Sequence, residues 1–385
     1  MKKLSVYVHI PFCIKKCAYC DFVSFRYEAV KARAYKKALL SEIENYSELL
    51  SDFEIRSIFV GGGTPSLMPE NFHEELISGI ASKAHLGKNA EITMEANPDS
   101  ILERDSKMLR DSGYNRLSMG MQSFDDCILK TIGRVHDSRQ SRLAFEHARK
   151  GGFKNISIDL MYGLPGQTMD IWKRDLEIAA CQLSPEHISA YSLIVNDNTP
   201  MREMMNKSPG LFPEEVEERG MHHFCTDFLT TRGYDQYEIS NYAKEGRESR
   251  HNKNYWERGS YLGLGVAAHS FIGKKRFQNT SSIEDYLKRA EGGKTRIVES
   301  ETLTKRDALF EEIFLGLRMT DGIDMLAVGE RHQMDFGGTF KKTMIDLKRN
   351  GLVLVENERL LLTRKGMDLS NSVFLEFLNV IDQNY

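Results

Sequence analysis

The feature that most limits the fold is a regular alternation of two patterns between residues 4 and 242. Short runs rich in β-branched residues are followed by stretches with apolar residues at helical spacing, which is typical of βα units and a parallel sheet. The predicted strands are residues 4–10, 54–60, 91–96, 116–121, 155–161 and 187–195, with 236–240 as a further candidate. Helices are predicted over 29–50, 71–84, 138–149 and 169–183. Six βα units are too few for a closed eight-stranded barrel, so a partial barrel and a doubly wound sheet both fit.

The pattern changes after Tyr242. Residues 243–273 are charged, contain several glycines and are unusually rich in His, Asn and aromatic side chains, which we interpret as a functional loop or connector. Helical spacing returns near Thr302, and 352–355 and 359–363 form a predicted β-hairpin. Helices followed by a hairpin resemble a winged helix. The predicted domains are the βα array at 1–242, the connector at 243–300 and a small helical domain at 301–385.

Charge and hydropathy exclude several classes of partner. The chain has 52 Lys and Arg against 55 Asp and Glu, a net charge of −3, so no polybasic surface and no nucleic acid partner are expected. No apolar run approaches the ~20 residues that a membrane span needs. Lys15 and Lys16 interrupt the apolar start, so no signal peptide is predicted. We expect a soluble, cytoplasmic protein, with peripheral contact as its only route to a membrane.

Three of the six cysteines lie in the segment HIPFCIKKCAYCDF (9–22), directly after the first predicted strand. Cys13, Cys17 and Cys20 have the spacing C-x3-C-x2-C, and in a long chain of a reducing compartment such clustering is more often metal binding than cross-linking. Three thiolates on one loop suit a cubane iron–sulfur cluster whose fourth iron stays open for a small-molecule ligand. The alternative is a structural zinc site that His9 or a distant residue completes.

This motif after the first strand of a βα array resembles that of the radical S-adenosylmethionine (SAM) superfamily. In that superfamily the amine and carboxylate of SAM chelate the open iron of a [4Fe–4S] cluster, and the cofactor supplies the radical chemistry. The resemblance implies that Cys13, Cys17 and Cys20 bind the cluster. It also favours a partial (β/α)6 barrel, similar to an incomplete TIM barrel, over the doubly wound sheet.

A barrel of this kind binds its cofactors at the C-terminal ends of its strands. The second predicted strand ends in GGGTP (61–65), where missing side chains let the backbone approach a ligand, although a tight turn would also explain the glycines. Polar residues end the next three strands, and each of them alone would also suit a helix cap. The resemblance implies that the SAM-binding residues are Tyr7, Gly62, Gly63, Thr64, Glu95, Gln122, Arg134 and Asp159.

Three segments, YVHIPFC (7–13), GGGTP (61–65) and DLMYGLP (159–165), resemble the oxygen-independent coproporphyrinogen III dehydrogenases and their relatives. The dehydrogenases carry a further cysteine two residues after the third, where this chain has Phe22. They also have an extension before the first strand, where this chain has three residues. Both departures match the heme chaperones of the same family, which keep the cluster and the SAM site. We therefore predict a heme chaperone, with the radical decarboxylase as the alternative and enzymatic activity left open.

The connector carries the segment HNKNYW (251–256), followed by YLGLG (261–265). An H-N-x-x-Y-W segment is linked to heme in the chaperones that the chain resembles, so the predicted heme contacts, in a connector beside the barrel mouth, are His251, Asn252, Tyr255 and Trp256. His and Tyr are both axial ligands of heme iron, and Trp stacks on flat rings. The alternative is simple packing of the segment onto the barrel, and rival ligands are His269 and the pair His222 and His223. The predicted partners are heme and acceptor apo-hemoproteins.

Overall fold

The computed structural model of the protein describes residues 1–69, 71–102 and 106–384. The strands in chain order are β1 (Lys2–Ile10), β2 (Phe12–Cys13), β3 (Phe25–Arg26), β4 (Phe53–Gly62), β5 (His85–Ala96), β6 (Arg116–Gln122), β7 (Ile156–Tyr162), β8 (His187–Ser192), β9 (Asp235–Glu238), β10 (Asn241–Ala243), β11 (Tyr261–Leu264), β12 (His269–Ile272), β13 (Lys275–Asn279), β14 (Ile297–Thr302), β15 (Ile323–Asp324), β16 (Val353–Glu356) and β17 (Arg359–Leu362). The helices are α1 (Ala29–Asn45), α2 (Ser47–Ser51), α3 (Phe72–Ala81), α4 (Pro98–Leu102), α5 (Ser106–Asp111), α6 (Asp126–Thr131), α7 (Ser138–Lys150), α8 (Met169–Glu177), α9 (Pro200–Lys207), α10 (Glu215–Thr230), α11 (Arg250–Trp256), α12 (Ile283–Glu291), α13 (Lys305–Gly316), α14 (Met325–His332), α15 (Phe336–Thr339), α16 (Lys341–Arg349), α17 (Arg364–Asp368) and α18 (Ser370–Asn384). Among these described helices, none is long and apolar enough to cross a membrane.

One twelve-stranded sheet has the order β14-β13-β12-β11-β1-β4-β5-β6-β7-β8-β10-β9. Neighbouring strands from β11 to β8 in this order are parallel, and the strands at both edges are antiparallel. From β1 to β8 the strands lie side by side in chain order, without the reversal that a doubly wound sheet has at its switch point. The predicted partial barrel is therefore confirmed, and the doubly wound alternative is wrong.

The two faces of the sheet differ in polarity because alternate residues of a strand point to opposite sides. In β6, Leu117, Met119 and Met121 are buried in the apolar core between the sheet and its surrounding helices. The alternate residues Arg116 and Ser118 line a cavity that the sheet encloses. The inward face of β6 is therefore polar, and it borders the cavity.

Two predicted helices are divided in the structure. The span 29–50 contains α1 and α2, separated at Tyr46, whose backbone (φ −96°, ψ 9°) leaves the helical region. In the span 169–183 only α8 is α-helical, and Ile178–Leu183 is a π-helix. The π-helix buries the consecutive apolar residues Ile178, Ala179 and Ala180, and such an apolar run does not distinguish it from an α-helix.

Residues 243–300 form regular structure, including residues 243–273, which we interpreted as a functional loop or connector. They contain α11, α12 and three strands, and β11 extends the barrel beside β1 in parallel. The buried Glu42 carboxylate of α1 accepts hydrogen bonds from the Gly265 N–H (2.8 Å), the Asn279 amide (2.7 Å) and the Tyr286 hydroxyl (2.6 Å). The sheet continues across the predicted domain limits, since residue 242 lies in β10 and residue 300 in β14.

The C-terminal part, from α13 to α18, encloses the small sheet β15-β17-β16. The predicted hairpin is present as β16 and β17, and Asn357 and Glu358 turn it with positive φ angles of 49° and 62°. A separate apolar core holds this part together. Glu311 of α13 connects it to the barrel by accepting from Arg258 (3.0 Å) and Arg276 (2.7 Å).

Candidate functional site

The three clustered cysteines lie on one loop that follows the C-terminal end of β1. Cys13 is in β2, and Cys17 and Cys20 lie in the turn that follows. The Ala18 N–H donates to the Ile132 carbonyl (3.0 Å), which fixes the loop to the end of α6. All three thiols are free and half-buried. The structure therefore brings the three predicted cluster ligands together.

A series of hydrogen bonds connects Cys17 to Cys13. Arg134 donates to the Cys17 Sγ (3.5 Å) and to the Asn97 Oδ1 (2.7 Å). Asn97 in turn donates to the Thr64 hydroxyl (3.0 Å), and that hydroxyl donates to the Cys13 Sγ (3.8 Å). Burial raises the pKa of Cys13, and the hydrogen bond from Thr64 opposes that shift. Two predicted SAM residues, Arg134 and Thr64, therefore also contact the predicted cluster ligands.

The zinc alternative fits this geometry poorly. Burial lowers the pKa of His9, so the ring is neutral, and both of its nitrogens have partners. The Nε2–H donates to the Val23 carbonyl (2.8 Å), and Nδ1 accepts from the Tyr7 hydroxyl (2.9 Å). A single zinc ion needs its ligands close together, but in the described residues the sulfurs of the three cysteines do not all lie within 4.8 Å of one another. Thiolates that bind separate irons of one cluster do not need that convergence.

The glycine run at the end of β4 is required by close packing on three sides. A Cβ on Gly62, whose φ is +104°, would lie 2.4 Å from the His9 ring, and a Cβ on Gly63 would lie 2.6 Å from the Phe12 carbonyl. The Gly62 N–H donates to the Glu95 carboxylate (2.9 Å). Burial raises the pKa of Glu95 to about 7. A carboxyl with one backbone donor and free acceptor capacity is suited to bind an amine.

Gln122 and Asp159, on β6 and β7, complete the predicted SAM set at the strand ends. Gln122 ends β6 with a φ of +67°, and its side-chain oxygen accepts from the Tyr191 hydroxyl (2.7 Å). Asp159 lies in the middle of β7, farther from the strand ends than Gln122. Both of its oxygens accept from the Ser118 hydroxyl (3.2 Å each). Burial raises the pKa of Asp159. These two side chains lie on the inward face, where a ribose or an amine can reach them.

One cavity of about 760 Å³ occupies the interior of the barrel. It extends from the cysteine loop, where Cys20 and Phe22 line it, to the far side of the interior, where α11 lines it. Phe22 is 62% exposed and Ile194 is 73% exposed, so the rim of the cavity is apolar. Among the predicted residues, those that line this cavity are Tyr7, Cys20, Gly62, Glu95, Asp159, His251, Asn252 and Tyr255.

The H-N-x-x-Y-W segment does not lie beside the barrel mouth, which corrects our expectation: its His251, Asn252 and Tyr255 line the cavity from the far side of the interior. The segment forms α11, whose first N–H groups at Arg250 and His251 donate to the Glu91 carboxylate (3.2 Å each). The His251 ring stacks on Phe59 with centroids 5.0 Å apart. Glu91, in the middle of β5, therefore holds α11 in place. The two are too far apart in the sequence for a local pattern to predict this contact.

His251 is buried with a defined tautomer. The Ser57 hydroxyl donates to Ser5 (2.8 Å), so it accepts from the His251 Nδ1–H (2.9 Å). The lone pair of Nε2 then accepts from the Tyr255 hydroxyl (2.9 Å). Burial lowers the pKa of His251 to about 3, so the ring is neutral at physiological pH. Neutral imidazole with Nδ1–H held by an acceptor is the form in which histidine binds metals.

Trp256 is separated from the other predicted heme contacts. It packs against Tyr237 and Met319, and the Arg318 guanidinium lies 4.6 Å from its ring centroid. This position faces the C-terminal helices and not the barrel cavity. Among the rival ligands, His269 is exposed on β12, and His223 donates to Asp368 of α17 (2.9 Å). The structure thus brings His251, Asn252 and Tyr255 together but leaves Trp256 on another surface.

Two functional candidates escaped the sequence analysis. Asn97 links Arg134 to Thr64, and its position directly after β5 was a usable signal. Arg116 lines the cavity from the inward face of β6. Its alternation with Ser118 along the strand indicated that face. The sequence could not show whether the guanidinium has a hydrogen-bond or ion-pair partner, because that depends on the neighbouring strands.

The comparisons with known proteins agree with this geometry. Residues 7–179 match the radical SAM superfamily, and residues 303–369 match the HemN C-terminal domain. The structure of coproporphyrinogen III oxidase (HemN) from Escherichia coli, a radical SAM enzyme, is similar with a TM-score of 0.85 and 26% identity, over 98% of this chain and 90% of that chain. The heme chaperone HemW of Lactococcus lactis is 35% identical over 98% of both chains, and that of Bacillus subtilis is 36% identical over 97% of this chain and 99% of its own.

The partial barrel and its C-x3-C-x2-C loop define a radical SAM protein. A [4Fe–4S] cluster and SAM are the cofactors that this superfamily implies. Within the superfamily, the chain belongs to the HemW family.

Proposed function

We propose that the protein is a heme chaperone, which binds heme in the barrel cavity and passes it to acceptor apo-hemoproteins. The observation that carries the proposal is that one cavity joins Cys20 of the cysteine loop to His251, Asn252 and Tyr255. The relatives with 35% and 36% identity are named heme chaperones, which supports the same assignment. All six cysteines are free, which suits the reducing cytoplasm as the place of action.

The upper part of the cavity is suited to the cofactors. Cys13, Cys17 and Cys20 would hold a [4Fe–4S] cluster, which supplies electrons and an open iron for SAM when it is bound. Glu95 would accept from the SAM amine, and Arg134 keeps a positive charge beside the Cys17 sulfur. Gly62 and Gly63 let the end of β4 pack closely against His9 of β1 and Phe12 of the cysteine loop. The rest of the SAM set is proposed at the strand ends, at Tyr7, Thr64, Gln122 and Asp159.

The rim and the far end of the cavity are suited to heme. Phe22 and Ile194 expose apolar surface at the rim, and a flat macrocycle buries such surface favourably. At the far end, His251 carries its Nε2 lone pair toward Tyr255. When the Tyr255 hydroxyl turns away, that lone pair is free to bind iron while Ser57 retains the Nδ1–H. We therefore propose His251 as the axial ligand, with Asn252 and Tyr255 beside it.

Heme titration of the reconstituted full chain under anaerobic conditions tests this proposal. We expect saturable binding of about one hemin per chain, a shifted Soret band in His251→Ala and a parental Soret band in Tyr255→Phe. His85→Ala, which removes an exposed histidine, is the matched control and should behave like the parent. If the parent binds no hemin with saturation, the proposed function is wrong. If both His251→Ala and Tyr255→Phe keep the parental spectrum and affinity, α11 is not the heme site.

A further inference from the structure

One buried charge in the barrel has no partner. The Arg116 side chain is 2% exposed, yet in the described part of the chain it donates no hydrogen bond and forms no ion pair, and its Nε is among the buried atoms without a partner. Arg296 offers a comparison, since it is 3% exposed and its Nε also lacks a partner, but its terminal guanidinium nitrogen donates to the Ala38 carbonyl (3.4 Å) and the Ser41 hydroxyl (3.3 Å). Burying an unpaired cation is costly, so an unpaired buried guanidinium beside a cavity indicates a site for an anionic ligand.

The two carboxyl groups that face Arg116 do not neutralise it. Arg116 acts electrostatically on both Glu95 and Asp159, but neither lies within ion-pair distance of its guanidinium. Asp159 accepts from the Ser118 hydroxyl and Glu95 from the Gly62 N–H, and neither accepts a hydrogen bond from Arg116 among the described residues. Among the other residues that line the cavity, Asp21 is the one with a carboxylate, and it lies in the cysteine loop.

A guanidinium presents a planar fork of N–H donors that matches a carboxylate in bidentate geometry. Arg116 lines the same cavity as α11, and its charge contributes to the low pKa of His251, so the two side chains face a common volume. We propose that Arg116 is a carboxylate anchor, which binds a propionate of heme in the barrel cavity. This inference rests on the proposed function and adds to it the group by which the ligand is oriented.

SAM also carries a carboxylate, and because Glu95 and Asp159 belong to the proposed SAM set and lie near Arg116, SAM is the competing ligand. Six residues separate Arg116 from Gln122 along β6, which is about 20 Å of strand. The carboxylate of SAM is expected at the cysteine loop, beside Arg134, which contacts the Gly120 carbonyl near the end of β6 opposite to Arg116. A heme that enters past Phe22 and approaches His251 brings a propionate into the lower part of the cavity.

The test compares hemin with hemin dimethyl ester, whose propionates carry no charge, on the reconstituted full chain. We expect the parent to bind hemin about 10- to 100-fold more tightly than the diester. Arg116→Met should bind both probes equally and weakly, and Arg116→Lys should retain part of the preference. Arg247→Met, which removes an exposed arginine, is the matched control and should keep the parental preference.

Thermal unfolding of the apo-protein separates a ligand-binding role from a structural one. Removing an unpaired buried charge relieves its desolvation cost, so Arg116→Met should raise Tm, by about 2 °C. A lower Tm would show that the guanidinium supports the fold, and would contradict the inference. SAM affinity should be the same in Arg116→Met and the parent, and a selective loss of SAM binding would assign the anchor to SAM and overturn the heme assignment.

The inference and the proposed function fail in different ways. If hemin and its diester bind the parent equally, and Arg116→Met changes neither, the propionate anchor is wrong while heme binding itself stands. If the parent binds no hemin with saturation, the proposed function is wrong, and the anchor with it.

Discussion

The backbone N–H of Gly62 donates a 2.9 Å hydrogen bond to the carboxylate of Glu95. This contact joins the ends of β4 and β5, next to the loop that carries the cysteines. Burial raises the pKa of Glu95 to about 7, although the hydrogen bond from Gly62 opposes that shift. Glu95 is therefore a proton-sensitive group at the position proposed for the SAM amine.

SAM affinity should depend on the ionisation of Glu95. The carboxylate attracts the cationic SAM amine only when it is ionised, and with a pKa of about 7 its ionised fraction rises about 10-fold between pH 6 and pH 8. We expect the affinity of the parent, relative to Glu95→Gln, to rise by about the same factor over this range. The measurement is a SAM titration of the reduced cluster by electron paramagnetic resonance at both pH values. An affinity ratio that is constant with pH would remove Glu95 from the SAM site.

Iron content should depend on three cysteines and on no other. We expect the anaerobically reconstituted parent to hold about four irons per chain, and Cys13→Ala, Cys17→Ala and Cys20→Ala each to lose them. The controls replace the remaining free cysteines, at positions 127, 181 and 225, and should keep the parental iron content. Zinc in place of iron in the parent, measured by metal analysis, would contradict the cluster assignment.

Coproporphyrinogen III should not be converted to protoporphyrinogen IX by this protein. Phe22 takes the place of the additional cysteine of the dehydrogenases, and its exposed ring lines the rim of the cavity. The assay supplies the reconstituted protein with SAM and a reductant and separates the products by chromatography. Sustained turnover would make the decarboxylase the main function in spite of the chaperone names of the relatives.

Glu42 should be a major source of stability for the segment after β10. Glu42→Ala leaves three buried donors without their acceptor, so we expect a loss of about 2 to 4 kcal/mol in the free energy of unfolding. Glu44→Ala on the same helix removes only an exposed ion pair with Lys83 and should cost less than about 0.5 kcal/mol. Urea unfolding of the apo-protein measures both. Equal stabilities of the two variants would show that residues 243–300 are held independently of the barrel.

Local patterns predicted the strand ends well. Glu95 and Gln122 were identified because parallel strands bring their C-terminal ends to one edge, and the structure places both there. The sequence analysis did not identify Arg116, although the period of two along β6 was a signal for its inward position. Its missing partner was not predictable, because that depends on the register of β6 against β5 and β7, which no local pattern specifies.

The position of α11 shows the same limit at longer range. The predicted loop is a helix that begins after Ser249, whose side chain caps it, a signal that the sequence did contain. Its position at the far side of the barrel interior rests on contacts of His251 with Ser57 and Glu91, which lie about 160 to 190 residues earlier in the chain. The separation of Trp256 from this site follows from its packing against Met319 of the C-terminal part.

The most direct measurement of chaperone function is the rate at which heme leaves the loaded protein for apo-hemoproteins at increasing acceptor concentration. Heme handed over within a complex leaves at a rate that rises with the concentration of the acceptor, whereas heme that first dissociates leaves at a constant rate. We predict a rising rate for at least one acceptor of a panel of apo-hemoproteins, with the hemin-loaded His251→Ala variant as the comparison. A rate that is independent of acceptor concentration across the whole panel would contradict heme delivery by this protein.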